Sequence, residues 1–290
     1  MYKKVLSVLV LLGVILTAGC SPAATATPLS TTEAPVVTSA APAAVSTTTV
    51  PETTLTVMAA ASLTESFTEL GGEFEAQHPG VKVVYNFAGS QQLVEQLTQG
   101  AAADVFASAN QKYMTSIIDA KLAAETDSHV FARNRLTVIY PIENKVGIAA
   151  LADLAKPGLK VVLAAQVVPV GQYSLDFLDK AVKDPAFGAS YKDNVIKNVV
   201  SYEDNVKAVL TKVSLGEADA GIVYVTDITA DAKTSVGTID IPDALNTIAT
   251  YPIARLSASK NADLADAYVS FVLSTEGQVV LAKYGFLGPN

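Results

Sequence analysis

The larger, C-terminal part of the chain alternates between short apolar runs and stretches with helical spacing of apolar residues. Residues 55–59 predict a buried strand. Residues 62–78 predict a helix, because Phe67, Leu70 and Phe74 recur on one of its faces. The same alternation continues almost to the C-terminus, which predicts an α/β fold with parallel-rich sheets covered by helices. Ligands in such folds bind beyond the carboxyl ends of the strands.

The remaining predicted elements follow the same rules of periodicity and punctuation. Further strands are predicted at residues 81–87, 104–107, 136–140, 159–164, 199–202, 221–224 and 247–254. Further helices are predicted at residues 90–99, 110–119, 170–183, 205–215, 262–273 and 275–283. The chain has 290 residues, half of them hydrophobic, which is enough for a large core and two lobes.

The N-terminus has the composition of an export signal. A basic start precedes an apolar run at residues 5–16, which is too short for a comfortable membrane span. The single cysteine, Cys20, follows small residues, where bacterial lipoprotein signals place the acylated residue. The segment resembles a lipobox with Thr17 in place of the usual leucine. We predict a signal peptide at residues 1–19 and lipidation of Cys20. The alternative is an ordinary cleaved signal with an incidental cysteine.

Residues 20–53 differ in composition from the rest of the chain. They consist mainly of Ala, Thr, Pro, Ser and Val, with almost no charge and no aromatic side chain. Such a segment cannot bury enough apolar surface to fold. We therefore predict a disordered tether between Cys20 and the folded part. A tethered adhesion or structural domain would carry the same kind of segment.

Charge and residue usage exclude several classes of function. The net charge of -8 argues against binding to nucleic acid and requires any anion site to be local. The two histidines lack the spacing of metal ligands, and no nucleophile elbow, P-loop or dinucleotide fingerprint is present. We predict neither an enzyme nor a cofactor, and no site for a bare metal cation. A hydrolase using Ser62 or Ser90 would need a positioned base, and none is evident.

Two predicted strand-to-helix turns place a serine after very small residues. The first, AAAS, ends at Ser62, and the second, FAGS, ends at Ser90. Small residues let backbone N–H groups approach a ligand, and a helix N-terminus offers unpaired donors and a partial positive charge. The turns therefore indicate an anion site. The alternative is that each serine only caps its own helix.

Several segments, taken together, resemble the molybdate-binding proteins of bacterial ABC transporters. They are residues 57–63 (VMAAASL), 87–90 (FAGS), 100–109 (GAAADVFASA), 168–171 (VPVG), 203–206 (EDNV), 216–224 (GEADAGIVY) and 284–286 (YGF). The resemblance implies the two-lobed periplasmic-binding-protein fold, type II-like, with mixed sheets flanked by helices and a ligand cleft between the lobes. We expect residues 54–134 plus 251–290 to form lobe 1 and residues 135–250 to form lobe 2.

The resemblance also implies a ligand-binding set. Ser62 and Ser90 would supply hydroxyl and N–H donors, Val170 and Val206 would supply backbone N–H groups, and Tyr224 its phenol hydroxyl. The residues themselves agree for the valines, since both lie near predicted helix starts, where N–H groups lack helical partners. Without the resemblance, the sequence would assign the valine side chains to the core. It would also make Tyr224 a buried strand tyrosine with a satisfied hydroxyl.

Two departures from the family pattern concern the size of the site. Gly89 stands where many relatives carry serine, and Val170 stands where alanine is often found. Neither change removes a backbone donor. Because size would separate molybdate from sulfate, discrimination between these anions stays open.

Two further carboxylates precede Val206 in the sequence. Glu203 and Asp204 are expected to cap the helix that follows, because carboxylates are favoured at helix N-termini. Asp227 is expected to cap the short helix after Tyr224 in the same way.

The implied function is capture of molybdate or tungstate outside the cytoplasmic membrane and delivery to an ABC permease driven by its ATPase. The protein would be a monomer, tied to the bacterial cell membrane by its lipid anchor only and facing the periplasm or cell exterior. Neutral donors suffice for a dianion when aligned hydrogen bonds replace its hydration shell. Phosphate usually keeps a proton and requires an acceptor. The alternative is a broader, sulfate-like oxyanion or another small solute.

Overall fold

The structure is a computed structural model that describes residues 52–290. The predicted signal peptide, Cys20 and all but the last residues of the predicted tether lie outside the described residues. Within the described part, the strands are β1 (Thr53–Ala60), β2 (Val81–Ala88), β3 (Val105–Ala107), β4 (His129–Asn134), β5 (Leu136–Pro141), β6 (Val161–Ala164), β7 (Val199–Glu203), β8 (Ala220–Tyr224), β9 (Val236–Asp240) and β10 (Ala249–Arg255). No helix among the described residues is long and apolar enough to cross a membrane.

Eight α-helices accompany these strands within residues 52–290. They are α1 (Thr64–Gln77), α2 (Ser90–Thr98), α3 (Gln111–Asp119), α4 (Pro169–Ala181), α5 (Tyr191–Lys197), α6 (Val206–Ser214), α7 (Ala262–Leu273) and α8 (Thr275–Lys283). Short 3-10 turns occur between them, including Ala61–Leu63 directly before α1.

The strands form two mixed, five-stranded sheets. The first has the order β2-β1-β3-β10-β4, in which β1 runs parallel to β2 and β3, and β10 runs antiparallel to β3 and β4. The second has the order β7-β6-β8-β5-β9, in which β6 runs parallel to β7 and β8, and β5 runs antiparallel to β8 and β9. We call each sheet with its helices a lobe.

The chain passes between the two sheets twice. It leaves the first sheet after Asn134 and enters the second at Leu136. It returns between β9 and β10. The helices α7 and α8 then pack on β10 and α1, so the C-terminal segment belongs with the first sheet.

Aromatic packing fixes α1 on the first sheet. The Phe67 and Phe74 side chains are fully buried, and their rings lie 6.3 Å and 5.2 Å, centroid to centroid, from the ring of Tyr268 on α7. Each such burial contributes about 1.5–3 kcal/mol to folding. The N-terminal end of α1 is thereby held at the carboxyl end of β1, where Ser62 lies.

Three elements of the fold are absent from the sequence prediction: β4, β9 and α5. The strand β4 alternates poorly in sequence (HVFARN), and β9 is an edge strand that includes a glycine. The helix α5 has only seven residues, too few to show a clear helical period. In each case pairing or packing with distant residues decides the structure.

Candidate functional site

A small cavity lies where the carboxyl ends of β1, β2 and β8 meet the N-terminal ends of α4 and α6. Ser62, Ser90, Val170, Val206 and Tyr224 all line it, so the structure brings the predicted site residues together. The other lining residues are Ala60, Ala61, Ala88, Gly89, Ala109, Val168, Pro169 and Asn205. The free volume at the cavity, including the part that opens to solvent, is about 210 Å³, against 600–1150 Å³ for four other concavities of the described residues. Its size suits a small ion better than an organic molecule.

The two serines come from the first lobe, and neither caps a helix. Ser62 lies in the 3-10 turn before α1, and Ser90 is the first residue of α2, for which Gly89 is the N-cap. The alternative interpretation, that each serine only caps its own helix, is therefore wrong. The Ser62 Oγ lies 3.0 Å from the Tyr251 hydroxyl, and the Ser90 Oγ accepts a hydrogen bond from the Ala109 N–H at 3.0 Å.

Behind Ser62 lies a buried polar network. The Asn134 Nδ2 group donates to the Thr226 Oγ1 at 2.7 Å and to the Tyr251 hydroxyl at 3.3 Å. The Asn134 Oδ1 accepts from the Arg135 N–H at 2.9 Å. Burial raises the pKa of Tyr251 far above its usual range, so the phenol is protonated at every physiological pH.

Two cavity-lining residues of the second lobe lie at helix starts. Val170 is the second residue of α4, and Val206 is the first residue of α6. Amides at these positions have no partner within their own helix. Gly171 lets α4 begin close to the end of β6, because a Cβ at this position would lie 2.1 Å from the Ala165 carbonyl oxygen.

The cap of α6 differs from the one predicted. The Asn205 Oδ1 accepts from the Ala208 N–H at 3.0 Å, so Asn205 is the N-cap. The expectation that Glu203 or Asp204 caps this helix is wrong, because the Glu203 carboxylate instead binds Lys212 at 2.6 Å. This bond occupies one lone pair of the Asn205 Oδ1 and leaves the Nδ2 group available as a donor.

Tyr224 ends β8 and carries the least satisfied polar group in the cavity. The residue is 1% exposed, and its hydroxyl makes no hydrogen bond to any of the described residues. Burial raises its pKa well above the ordinary value, and the nearby Tyr251 adds to the shift. The hydroxyl is therefore a protonated, desolvated donor at the cavity wall. Asp227 accepts the Tyr224 N–H at 3.0 Å, which confirms its predicted capping role.

No charged side chain lines the cavity. The residues that line the cavity carry hydroxyl groups, lie at helix starts, or have small or apolar side chains. Hydrogen-bond donors with no carboxylate beside them suit a fully deprotonated anion. A general base for hydrolysis is not among the lining residues.

Three polar contacts join the lobes around the cavity. The Lys207 Nζ lies 2.8 Å from Glu65 of the first lobe and 3.1 Å from the buried Asp227 of its own lobe. The Gln91 Nε2 donates to the Asp204 carbonyl at 2.7 Å, and the Tyr113 hydroxyl donates to the Val167 carbonyl. These contacts hold the lobes together at the rim of the site.

Opposing effects act on the pKa values of this ion-pair cluster. Burial lowers the pKa of Lys207, but Asp227 and Glu65 outweigh burial and raise it overall. Burial also raises the pKa of Asp227, and Lys207 opposes that shift. Each group thus depends on the other for its charge.

Gly89 marks a place where the lobes approach each other closely. A Cβ at this position would lie 2.5 Å from the Asp204 carbonyl oxygen and 2.4 Å from the Gln91 side chain. The glycine therefore permits this approach across the cleft.

Sequence reasoning missed Tyr251, Asn134 and Lys207. Tyr251 lies in a predicted strand with no distinguishing motif, and Asn134 falls between two arginines. Only their position in the chain could have indicated Asn134 and Tyr251. They lie at the two places where the chain was expected to cross between the lobes. Nothing in the sequence pairs Lys207 with Glu65, which is 142 residues away.

Comparisons with known proteins agree with this geometry. A family model described as bacterial extracellular solute-binding protein matches residues 55–287. Over 235 residues the chain is 39% identical to the molybdate-binding protein ModA of Mycobacterium tuberculosis (strain H37Rv), a match covering 81% of this chain and 85% of that protein.

Solved structures show the same fold. The periplasmic molybdate-binding protein of Azotobacter vinelandii superposes with a TM-score of 0.70 at 20% identity, covering 81% of this chain and all of that one. The sulfate-binding protein SubI of M. tuberculosis superposes with a TM-score of 0.72 at 18% identity, covering 81% and 86%. The predicted two-lobed α/β fold with mixed sheets is confirmed.

Proposed function

Because the chain belongs to the family of bacterial extracellular solute-binding proteins, and is related within it to molybdate-binding proteins, we propose that it captures molybdate or tungstate outside the cytoplasmic membrane. It delivers the ion to an ABC permease that is driven by an ATPase. Ser62 and Ser90 donate from the first lobe, and Val170, Val206 and Tyr224 donate from the second.

The observation that carries this proposal is the Tyr224 hydroxyl. A buried hydroxyl without a partner costs about 1–3 kcal/mol, and this one lies in the wall of a small cavity among other donors. A bound oxyanion removes that cost. Because no lysine or arginine lines the cavity, selectivity depends on hydrogen-bond geometry and cavity size rather than on net charge.

Sulfate is the second candidate, favoured by the fold shared with a sulfate-binding protein. Sulfate and molybdate are both tetrahedral dianions that require donors only, so size alone separates them here. Another small solute is disfavoured by the limited space of the cavity.

Calorimetric titration of a form beginning at residue 21 tests the function. Molybdate, tungstate, sulfate and phosphate are added in turn to a sample freed of carried-over ligand. Tight one-to-one binding of the first two, with weak sulfate and phosphate, supports the proposal. Equal sulfate binding makes the protein a broader oxyanion receptor. Absence of binding to all four would exclude the oxyanion function.

The proposal extends to cellular placement and architecture. Cys20 carries a lipid anchor after removal of residues 1–19, residues 20–53 act as the tether, and the mature protein is a monomer on the cell membrane. Lobe 1 comprises residues 54–134 plus 251–290, and lobe 2 comprises residues 135–250, which the distribution of strands between the sheets supports. Metabolic labelling with a fatty-acid analogue should mark the wild-type chain and not Cys20→Ser.

A further inference from the structure

A serine hydroxyl does not by itself select for a deprotonated oxyanion. It both donates and accepts hydrogen bonds. A freely rotating Ser62 hydroxyl would therefore accept a hydrogen bond from hydrogen phosphate as readily as it would donate one to molybdate. The hydrogen bonds behind the cavity remove this freedom from Ser62.

Two hydroxyls lie near the Tyr251 hydroxyl, those of Ser62 and Tyr224. Only the Ser62 Oγ, at 3.0 Å, has hydrogen-bonding geometry, because the Tyr224 hydroxyl makes no hydrogen bond to any of the described residues. Tyr251 is fully buried, and its hydroxyl contacts the Asn134 Nδ2 group and the Ser62 Oγ. The amide group can only donate. The phenol proton must therefore go to Ser62, and the Ser62 hydrogen cannot point back at Tyr251. Since the Ser62 Oγ has no other partner among the described residues, its hydrogen is left for the cavity.

Asn134 fixes the direction of this relay. Its Oδ1 accepts the Arg135 N–H at 2.9 Å, which sets the orientation of the side-chain amide. Its Nδ2 group then donates to Thr226 and to Tyr251. A reversed amide would leave the Arg135 N–H facing a donor. The relay thus runs from Asn134 through Tyr251 to Ser62.

We propose that Tyr251 and Asn134 are positioning residues that hold Ser62 as a hydrogen-bond donor and so make the site select fully deprotonated oxyanions over protonated ones such as hydrogen phosphate. This inference rests on the proposed oxyanion function. Neither residue lines the cavity, and both act through Ser62.

The test uses Tyr251→Phe in the form beginning at residue 21. Molybdate affinity is measured by calorimetry, and phosphate affinity by competition against molybdate near neutral pH. The ratio of the two dissociation constants should change by about tenfold or more in favour of phosphate, because Ser62 regains its freedom to accept. Tyr268→Phe is the matched control. It removes a buried phenol that hydrogen-bonds to the Tyr85 hydroxyl at 2.9 Å, and neither residue lines the cavity.

A double-mutant cycle with Ser62→Ala separates positioning from packing. If Tyr251 acts through Ser62, the change in the ratio disappears in the Ser62→Ala background. An unchanged ratio in Tyr251→Phe, with or without weaker molybdate binding, overturns the inference. If thermal unfolding shows that Tyr251→Phe does not fold, Asn134→Ser takes its place. That variant must shift the ratio of the molybdate and phosphate dissociation constants in the same direction. Wild-type protein that binds no oxyanion would instead defeat the proposed function itself.

Discussion

In the proposed oxyanion site, the two lobes offer hydrogen-bond donors in different ways. The first lobe uses the Ser62 and Ser90 hydroxyls, and protein groups hydrogen-bond to both oxygens from behind. The second lobe uses the starts of two helices, where Val170 and Val206 contribute only N–H groups, and adds the phenol of Tyr224. Donor capacity therefore depends on side-chain chemistry in the first lobe and mainly on backbone position in the second.

The largest effect should come from removing both first-lobe hydroxyls. A hydrogen bond to a charged group contributes about 1.5–3 kcal/mol, so Ser62→Ala with Ser90→Ala should weaken molybdate binding by ~10²–10⁴-fold. Calorimetry measures the affinity, and thermal unfolding without ligand should show an intact fold. Wild-type affinity in this variant would remove both serines from the site.

Tyr224→Phe should change affinity and stability in opposite directions. Molybdate binding should fall about tenfold or more, because one charge-assisted hydrogen bond is lost. The ligand-free protein should become more stable by about 1 kcal/mol, since an unpartnered buried hydroxyl is removed. Calorimetry and denaturant unfolding test the two halves separately. A loss of stability would mean that the hydroxyl has a partner in the ligand-free protein.

The backbone character of the second lobe can be tested at Val206. Proline is tolerated at the first position of a helix, and Asn205 has the extended conformation that suits a following proline. Val206→Pro therefore deletes one N–H and should weaken binding about tenfold. Val206→Ala keeps the N–H and should bind within about threefold of wild type. Equal losses in the two variants would show that the valine side chain, and not its amide, matters.

The smallest effect is expected at the ion pair between the lobes. Glu65→Gln removes the partner of Lys207 in the first lobe and keeps the pair of Lys207 with Asp227. Partly exposed pairs contribute about 0.2–1 kcal/mol, so affinity should fall less than about fivefold. Titration at low and high salt should show the difference shrinking as salt rises. A loss as large as that of the serine variants would place lobe closure, and not donor chemistry, in control of affinity.

Much of the fold could be predicted from the sequence, because alternating apolar patterns identify most strands and helices. The cavity residues could be predicted only in part. Small residues before Ser62 and Ser90 pointed to donors at helix starts, but Val170 and Val206 have side chains that reveal nothing about their amides. Their assignment came from the resemblance to a known family.

Other parts of the site depend on pairings that no local pattern encodes. Neither serine caps a helix, because Ser62 lies in the 3-10 turn before α1 and Gly89 is the N-cap of α2. Tyr251 reaches Ser62 across 189 positions of the chain. Such contacts become visible only when the sheet brings the strands together.

The division of donors between the lobes has a consequence for unloading. An ion held by formal positive charges would stay attracted to them after the cleft opens. No lysine or arginine lines the cavity. In the proposed function, opening of the cleft separates the second-lobe amides and the Tyr224 phenol from the ion. Water then reaches the ion on one whole side at once. For the proposed delivery to a permease, release therefore requires separation of the lobes and no competing anion to displace the ion.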